Sequence, residues 1–304
     1  MRFSTILSAA AAAGPIVASA AGQMGFALGN KKSDGTCKES ADYTADFAAI
    51  SKETGSKIVR IYAASDCDVA KLILPAAKTA GFKVILGIWP DTDESFEADK
   101  AAAVEYTAKY KDQVYAITVG SESLYRGNFT GPELLEKIQD VKSAVGKGVK
   151  IGTADSWNKY ADGTADAIVQ SGAADILLTN AFSYWQGQVL SNATGSFYDD
   201  IFQAFGHIQE KAGGTDKIEL WVGETGWPTA GDKYQNAQPG KQQAATFYSQ
   251  AVCGMVDWGF NVFFFEAFDE SWKPKAIGED GSVADETSWG AMTADRKPKY
   301  SLKC

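Results

Sequence analysis

Short apolar runs recur along the chain at regular intervals. They are MGFAL (24–28), KIVRIYA (57–63), KVILGIW (83–89), VYAITVG (114–120), VKIGTA (149–154), DILLTNAF (175–182), IELWVGE (218–224) and VFFFEAF (262–268). Each is rich in Val, Ile or aromatic residues, as buried strands are. The segments between them have helical spacing. In ADYTADFAAISKETG, Tyr43, Phe47 and Ile50 recur at i, i+4 and i+7, and Gly55 ends the helix. In KQQAATFYSQAVCGMVDWG, Ala244, Tyr248, Ala251 and Met255 form one stripe. Strands alternating with helices predict a parallel sheet. Eight units of roughly 35 residues each match the β-α unit of a barrel of ~250 residues. The predicted fold is α/β, a single (β/α)8 TIM barrel over residues 21–304. An open doubly wound sheet is the competing arrangement, but eight even units without a dinucleotide-binding loop favour closure.

The first twenty residues, MRFSTILSAAAAAGPIVASA, stand outside this pattern. One arginine, a small apolar stretch and Ala18-Ser19-Ala20 read as a secretory signal peptide over residues 1–20. Gly14-Pro15 argues against a buried first helix. No later stretch approaches the ~18 uncharged apolar residues of a membrane span. The final KYSLKC lacks the hydrophobic tail of a lipid-anchor signal. A secreted protein with no membrane anchor is expected.

Secretion changes the reading of the four cysteines, Cys37, Cys67, Cys253 and Cys304. Without any C-x-x-C pair they read as two disulfides, with three connectivities open. In the barrel, Cys37 and Cys67 follow the neighbouring first and second strands. Cys253 lies about 200° around its helix from core-facing Ala251. It is expected to face outward, where a tail ending in Cys304 reaches it. The predicted pairs are therefore Cys37–Cys67 and Cys253–Cys304. Asn128 and Asn192, in NFT and NAT, are glycosylation acceptors.

A net charge of −9 without a Lys/Arg cluster argues against a nucleic-acid partner. The single histidine, His207, lies mid-helix by pattern, so chemistry that needs two histidines is excluded. No G-x-S-x-G, phosphate-binding or dinucleotide-binding motif occurs. Carboxylate chemistry remains. Glu122 follows the fourth apolar run and Glu224 ends the seventh. In a barrel both positions open on the C-terminal face, where active sites lie. A surface glutamate is the ordinary fate of this residue, yet two at the same strand position within apolar runs imply a catalytic pair.

WVGETGWPT (221–229), VRIYA (59–63), VGSESLYRG (119–127) and FFFEAFDESWK (263–273) resemble glycoside hydrolase family 17. The closest likeness is to its fungal cell-wall branch of β-1,3-glucanases and glucanosyltransferases. The resemblance implies a (β/α)8 barrel with Glu122 as acid/base and Glu224 as nucleophile. It implies Glu270 and Lys273 beside the site, and Arg60 and Tyr184 near the nucleophile. Ser121 departs from the asparagine usual in the wider clan and reaches less far towards a sugar 2-OH.

Six tryptophans, Trp89, Trp157, Trp185, Trp227, Trp272 and Trp289, follow strands or lie in late loops. Aromatic faces in a groove suit sugar rings. Tyr62, Trp157, Trp185, Trp227 and Trp272 are the expected substrate-binding residues, with Trp227, close to the nucleophile, as a subsite wall.

The implied activity is cleavage of β-1,3-glucan through a covalent glycosyl-enzyme, followed by transfer to another glucan. New β-1,6 branches are a further implied product. Plain β-1,3-glucanase hydrolysis is the alternative. An inactive carbohydrate-binding barrel is a third reading, but it would be expected to lose one carboxylate. No metal or organic cofactor is required, and a monomer in the cell wall is expected.

Overall fold

The computed structural model describes residues 21–277 and 283–304. The signal segment expected over residues 1–20 lies outside the described residues. Each apolar run contributes one strand: β1 (Met24–Ala27), β2 (Ile58–Arg60), β3 (Lys83–Ile88), β4 (Val114–Ser121), β5 (Lys150–Ser156), β6 (Ile176–Asn180), β7 (Glu219–Thr225) and β8 (Asn261–Phe264). Each strand pairs in parallel with its sequence neighbour. Pairing of β1 with β8, Phe26 opposite Phe264, closes the ring. The architecture is a single (β/α)8 TIM barrel, not an open sheet. A short antiparallel pair, β9 (Ala276–Ile277) and β10 (Val283–Ala284), follows the last barrel strand.

The helices described are α1 (Ser40–Thr54), α2 (Val69–Ala80), α3 (Asp93–Lys109), α4 (Gly131–Val145), α5 (Trp157–Ala161), α6 (Asp166–Gln170), α7 (Leu190–Ala212), α8 (Lys241–Phe247) and α9 (Cys253–Asp257). Helix α1 buries Tyr43, Phe47 and Ile50, the predicted stripe. Phe47 stacks on Phe82 with ring centroids 4.3 Å apart. Such fully buried side chains each stabilise the layer between helices and sheet by about 1.5–3 kcal/mol. Helix α4 starts at Thr130, whose side chain exchanges hydrogen bonds with Glu133. A second apolar cluster takes one residue from most strands: Ile58, Ile85, Ala116, Ala154, Ile176, Leu178, Trp221 and Phe263. It fills the barrel interior, so the barrel is a packed core and not a pore.

Both disulfides are present, Cys37–Cys67 with Cα atoms 5.4 Å apart and Cys253–Cys304 with 5.2 Å. The first joins the β1–α1 and β2–α2 loops. Cys253 is buried rather than outward-facing. A single π turn, Tyr248–Val252, precedes it, and its disulfide holds the C-terminal residue against it. The C-terminal tail also packs against this element, where Tyr248 donates to the Leu302 carbonyl at 3.2 Å.

Both ends of the described chain lie at the foot of the barrel. Gly22 N–H donates to Val256 O at 2.7 Å, and Lys303 Nζ donates to Lys52 O at 3.1 Å. Gly22 and Cys304 line one groove together with Gly55 and Gly81, which end the first two helices.

Candidate active site

Residues of four strands reach the mouth by two routes. Arg60 and Asn180 keep the inward parity of Ile58 and Leu178, so ordinary alternation aims them at the barrel axis. Glu224 has the parity opposite to inward-facing Trp221. Register shifts on both sides of β7, at Thr179/Asn180 and at Val222/Thr225, break the alternation and bring Glu224 to the mouth. A third shift, between Thr118 and Ser121, does the same for the end of β4.

Arg60 is fully buried and joins its own strand β2 to three others, reaching β6 through Nη1 to Asn180 Oδ1 at 3.5 Å. Its Nη1 donates to Glu224 Oε1 at 2.9 Å and to Gly223 O at 3.0 Å, and its Nη2 donates to Ser121 Oγ at 2.9 Å. The guanidinium lies over the Tyr62 ring at 4.9 Å. Tyr62 itself faces Glu224 without forming a well-aligned hydrogen bond to it. Burial, and then the negative charge of Glu224, raise the Tyr62 pKa well above that of a free tyrosine.

Glu122 begins the turn after β4. Its backbone is left-handed, φ 56°, a conformation that costs a non-glycine residue about 1–3 kcal/mol. Gly120, φ 84°, precedes it, and a Cβ there would stand 2.7 Å from Ser123 Oγ. The Glu122 N–H continues the sheet by donating to Ala154 O at 2.9 Å. Asn180 Nδ2 donates to Glu122 Oε1 at 3.1 Å. No basic side chain forms an ion pair with this carboxyl among the described residues, in contrast to Glu224. Burial first, and then the charge of Glu224, push its pKa up to about 7 against the pull of Asn180.

The cleft runs across the mouth in two continuous halves that share Tyr62, Trp89, Phe265 and Glu286. One half holds Ser121, Glu122, Glu224, Trp157, Trp185 and Gln186. The other holds Glu270, Trp272 and Lys273. Lys273 Nζ pairs with Glu266 at 2.6 Å and Glu270 at 3.2 Å. Burial opposes the lysine's charge, but Glu266 and Glu270 outweigh it and raise its pKa. Burial, and then the charge of Glu270, raise the Glu266 pKa well above the usual glutamate range. A Cβ at Gly29 would stand 1.6 Å from Glu270 Oε1, so a larger residue there would displace that carboxylate.

Two expected positions are corrected. Trp227 is fully buried, its Nε1 donating to Gln238 O at 2.8 Å, so it is not a wall of the cleft. It packs edge-on against Tyr184 at 5.1 Å. Tyr184, expected near Glu224, donates its hydroxyl instead to Asp232 O at 2.7 Å. Trp289 is fully buried against the same ring, at 5.4 Å. These three rings support the cleft from beneath. Asn128 is exposed on the β4–α4 loop, and Asn192 is exposed in the first turn of α7.

Asn180 and Glu266 were not singled out in the sequence, and neither were Asp155 and Glu286. Asn180 and Asp155 carry the signal that found Glu224, a polar residue closing an apolar run.

A closed parallel barrel with two unlike glutamates at its C-terminal mouth is the class of architecture used by barrel glycosidases. The BtgE/BtgC glycoside hydrolase domain matches residues 25–290, and the chain belongs to that family, which is of the family-17 type. A glucan 1,3-beta-glucosidase of Arthroderma benhamiae is 53% identical over 305 residues, covering 100% of this chain and 98% of the relative. The glucan 1,3-beta-glucosidase of Saccharomyces cerevisiae is 44% identical over 318 residues, covering 100% and 99%. An active-site mutant of the Rhizomucor miehei beta-1,3-glucanosyltransferase, solved with laminaritriose, is 25% identical with a TM-score of 0.79. That likeness covers 93% of this chain and 98% of the other.

Proposed function

We propose that this chain is a retaining β-1,3-glucan-active enzyme that works through a covalent glycosyl-enzyme and hands the glycosyl unit to another glucan. The observation that carries the reading is the unlike setting of its two carboxyls. Glu224 is paired with a buried guanidinium, and Glu122 has a pKa near neutrality. A retaining glycosidase needs one ionised nucleophile and one protonated acid on the same site.

Glu224 attacks the anomeric carbon as the glycosidic C–O bond breaks, and the leaving oxygen takes the proton of Glu122. The ester removes the charge of Glu224, the second cause of Glu122's raised pKa, so Glu122 then ionises more readily. As a base it takes the proton of the incoming hydroxyl, which attacks the anomeric carbon and frees Glu224. Glu122 has to reach the leaving oxygen, so the half with Trp157 and Trp185 holds first the leaving group and then the acceptor. The donor chain lies towards Trp272.

Transfer over hydrolysis is favoured by those acceptor-side aromatics and by the name of the Rhizomucor miehei relative. Water is present at about 55 M, whereas an oriented acceptor reaches an effective concentration of ~10⁵ M in favourable cases. The names of the two curated relatives favour a second reading, simple hydrolysis. A product time course from millimolar laminari-oligosaccharide separates them. Early products longer than the substrate support transfer, with β-1,6 linkages as a further product. Only shorter products support hydrolysis. Two disulfides, together with the expected signal peptide, support a secreted, wall-located enzyme.

A further inference from the structure

The turn that carries Glu122 is held from behind by one buried carboxylate. Asp155, near the end of β5, is fully buried. Its Oδ2 accepts the N–H of Leu124 at 2.8 Å, and its Oδ1 accepts those of Tyr125 at 3.1 Å and Ser156 at 2.9 Å. Leu124 and Tyr125 are the second and third residues after Glu122. The clamp therefore fixes the chain just beyond a residue whose own backbone is left-handed. On the near side the Glu122 N–H is fixed to Ala154 O, so β5 grips the turn at two consecutive residues, 154 and 155.

We propose that Asp155 is the positioning residue of the general acid, clamping the turn that aims Glu122 and setting the charge Glu122 faces. This inference rests on the two-glutamate mechanism above. Asp155 lines neither half of the cleft and acts through Glu122. A buried carboxylate is an expensive way to bind three amides, and burial raises its pKa to about 6 in spite of them. Its charge adds to the groups around Glu122. Glu224 and Asp155 raise the pKa of the acid, while Asn180 and Arg126 lower it. Asp155 in turn faces Arg126 and Tyr160.

The test compares Asp155→Asn, Glu122→Gln and wild type on two substrates. One is a laminari-oligosaccharide, which needs its leaving group protonated. The other is dinitrophenyl β-laminaribioside, which does not, read as the first-turnover burst of dinitrophenol. The expected result for Asp155→Asn is a fall of about 10²-fold or more in kcat on the oligosaccharide, with the burst rate within a few-fold of wild type. Removing a negative charge lowers the pKa of Glu122. The alkaline limb of kcat/KM should therefore move to lower pH. An unchanged oligosaccharide rate, or equal losses on both substrates, overturns the proposal. If Asp155→Asn does not fold, Asp155→Glu carries the same substrate comparison. If Glu122→Gln itself shows no difference between the substrates, the acid assignment has failed and this inference falls with it. If Glu122→Gln shows the difference and Asp155→Asn does not, only the role of Asp155 is wrong.

Discussion

Arg60 and Glu224 meet as a buried ion pair, Nη1 to Oε1 2.9 Å, from strands three positions apart around the barrel. The same guanidinium binds Ser121, the residue before Glu122. One cation thus holds the base of both carboxyls.

Arg60→Ala leaves a carboxylate without its cation inside the protein. A stability loss of about 3–5 kcal/mol is expected from denaturant unfolding. Labelling of Glu224 by a fluorinated glucosyl inactivator should largely disappear. Arg60→Lys keeps the charge but cannot reach Glu224, Gly223 and Ser121 together, so it should fall between the two. Wild-type stability and labelling in Arg60→Ala would refute the arrangement.

In the proposed mechanism Glu122 is protonated for the first step, and its pKa is raised to about 7. On an unactivated glucan, kcat/KM should therefore fall as pH rises through about 7. Stability follows the same group with the matching sign. The folded chain resists ionising Glu122, so its contribution is intact below about pH 4.5 and is lost as pH rises through about 7. Glu122→Gln should be near-neutral for stability at pH 4 and more stable than wild type by about 3 kcal/mol at pH 8. Equal melting temperatures of the two proteins at pH 8 would count against the raised pKa.

The roles of the two glutamates are separable by azide. In Glu122→Ala, azide attacking an α-linked ester should give a β-glycosyl azide. Glu224→Ala should take up no inactivator. Isolation of the α-azide from Glu122→Ala would reverse the assignment.

Trp185 and Trp227 should behave differently. Trp185 is half-buried in the half of the cleft that holds Glu122 and Glu224, and Trp227 is fully buried. Trp185→Ala should shift products from transfer towards hydrolysis with little loss of stability. Trp227→Ala should destabilise by about 3–5 kcal/mol, measured by unfolding. A stable Trp227→Ala with altered products would mean that this ring meets substrate after all.

The eight strands were legible because buried parallel strands are short apolar runs, and both glutamates because each sits where such a run stops. The side-chain neighbourhoods were not. Glu224 faces the mouth only through register shifts beside β7, and period-two reading carries no sign of a bulge. Trp227 lies three residues past Glu224 in sequence, yet the chain folds it under the rim, against Tyr184 and Phe247. Cys253 was expected outward from the spacing of its own helix, which carries no sign of the cover it receives in the folded chain, where it is bonded to the tail. Asn180 and Asp155 were within reach of the rule that found the glutamates, had it been extended from glutamate to every polar strand end.

The two ends of the described chain, stitched to the foot of the barrel through Val256 and Cys253, give the catalyst a fixed orientation relative to any attachment. Gly22 and Cys304 both lie on the side of the barrel away from the cleft. Immobilised on a bead through its tail, the enzyme would keep its cleft turned outward to insoluble fibres, and a fused anchor would serve as a handle without obstructing the mouth.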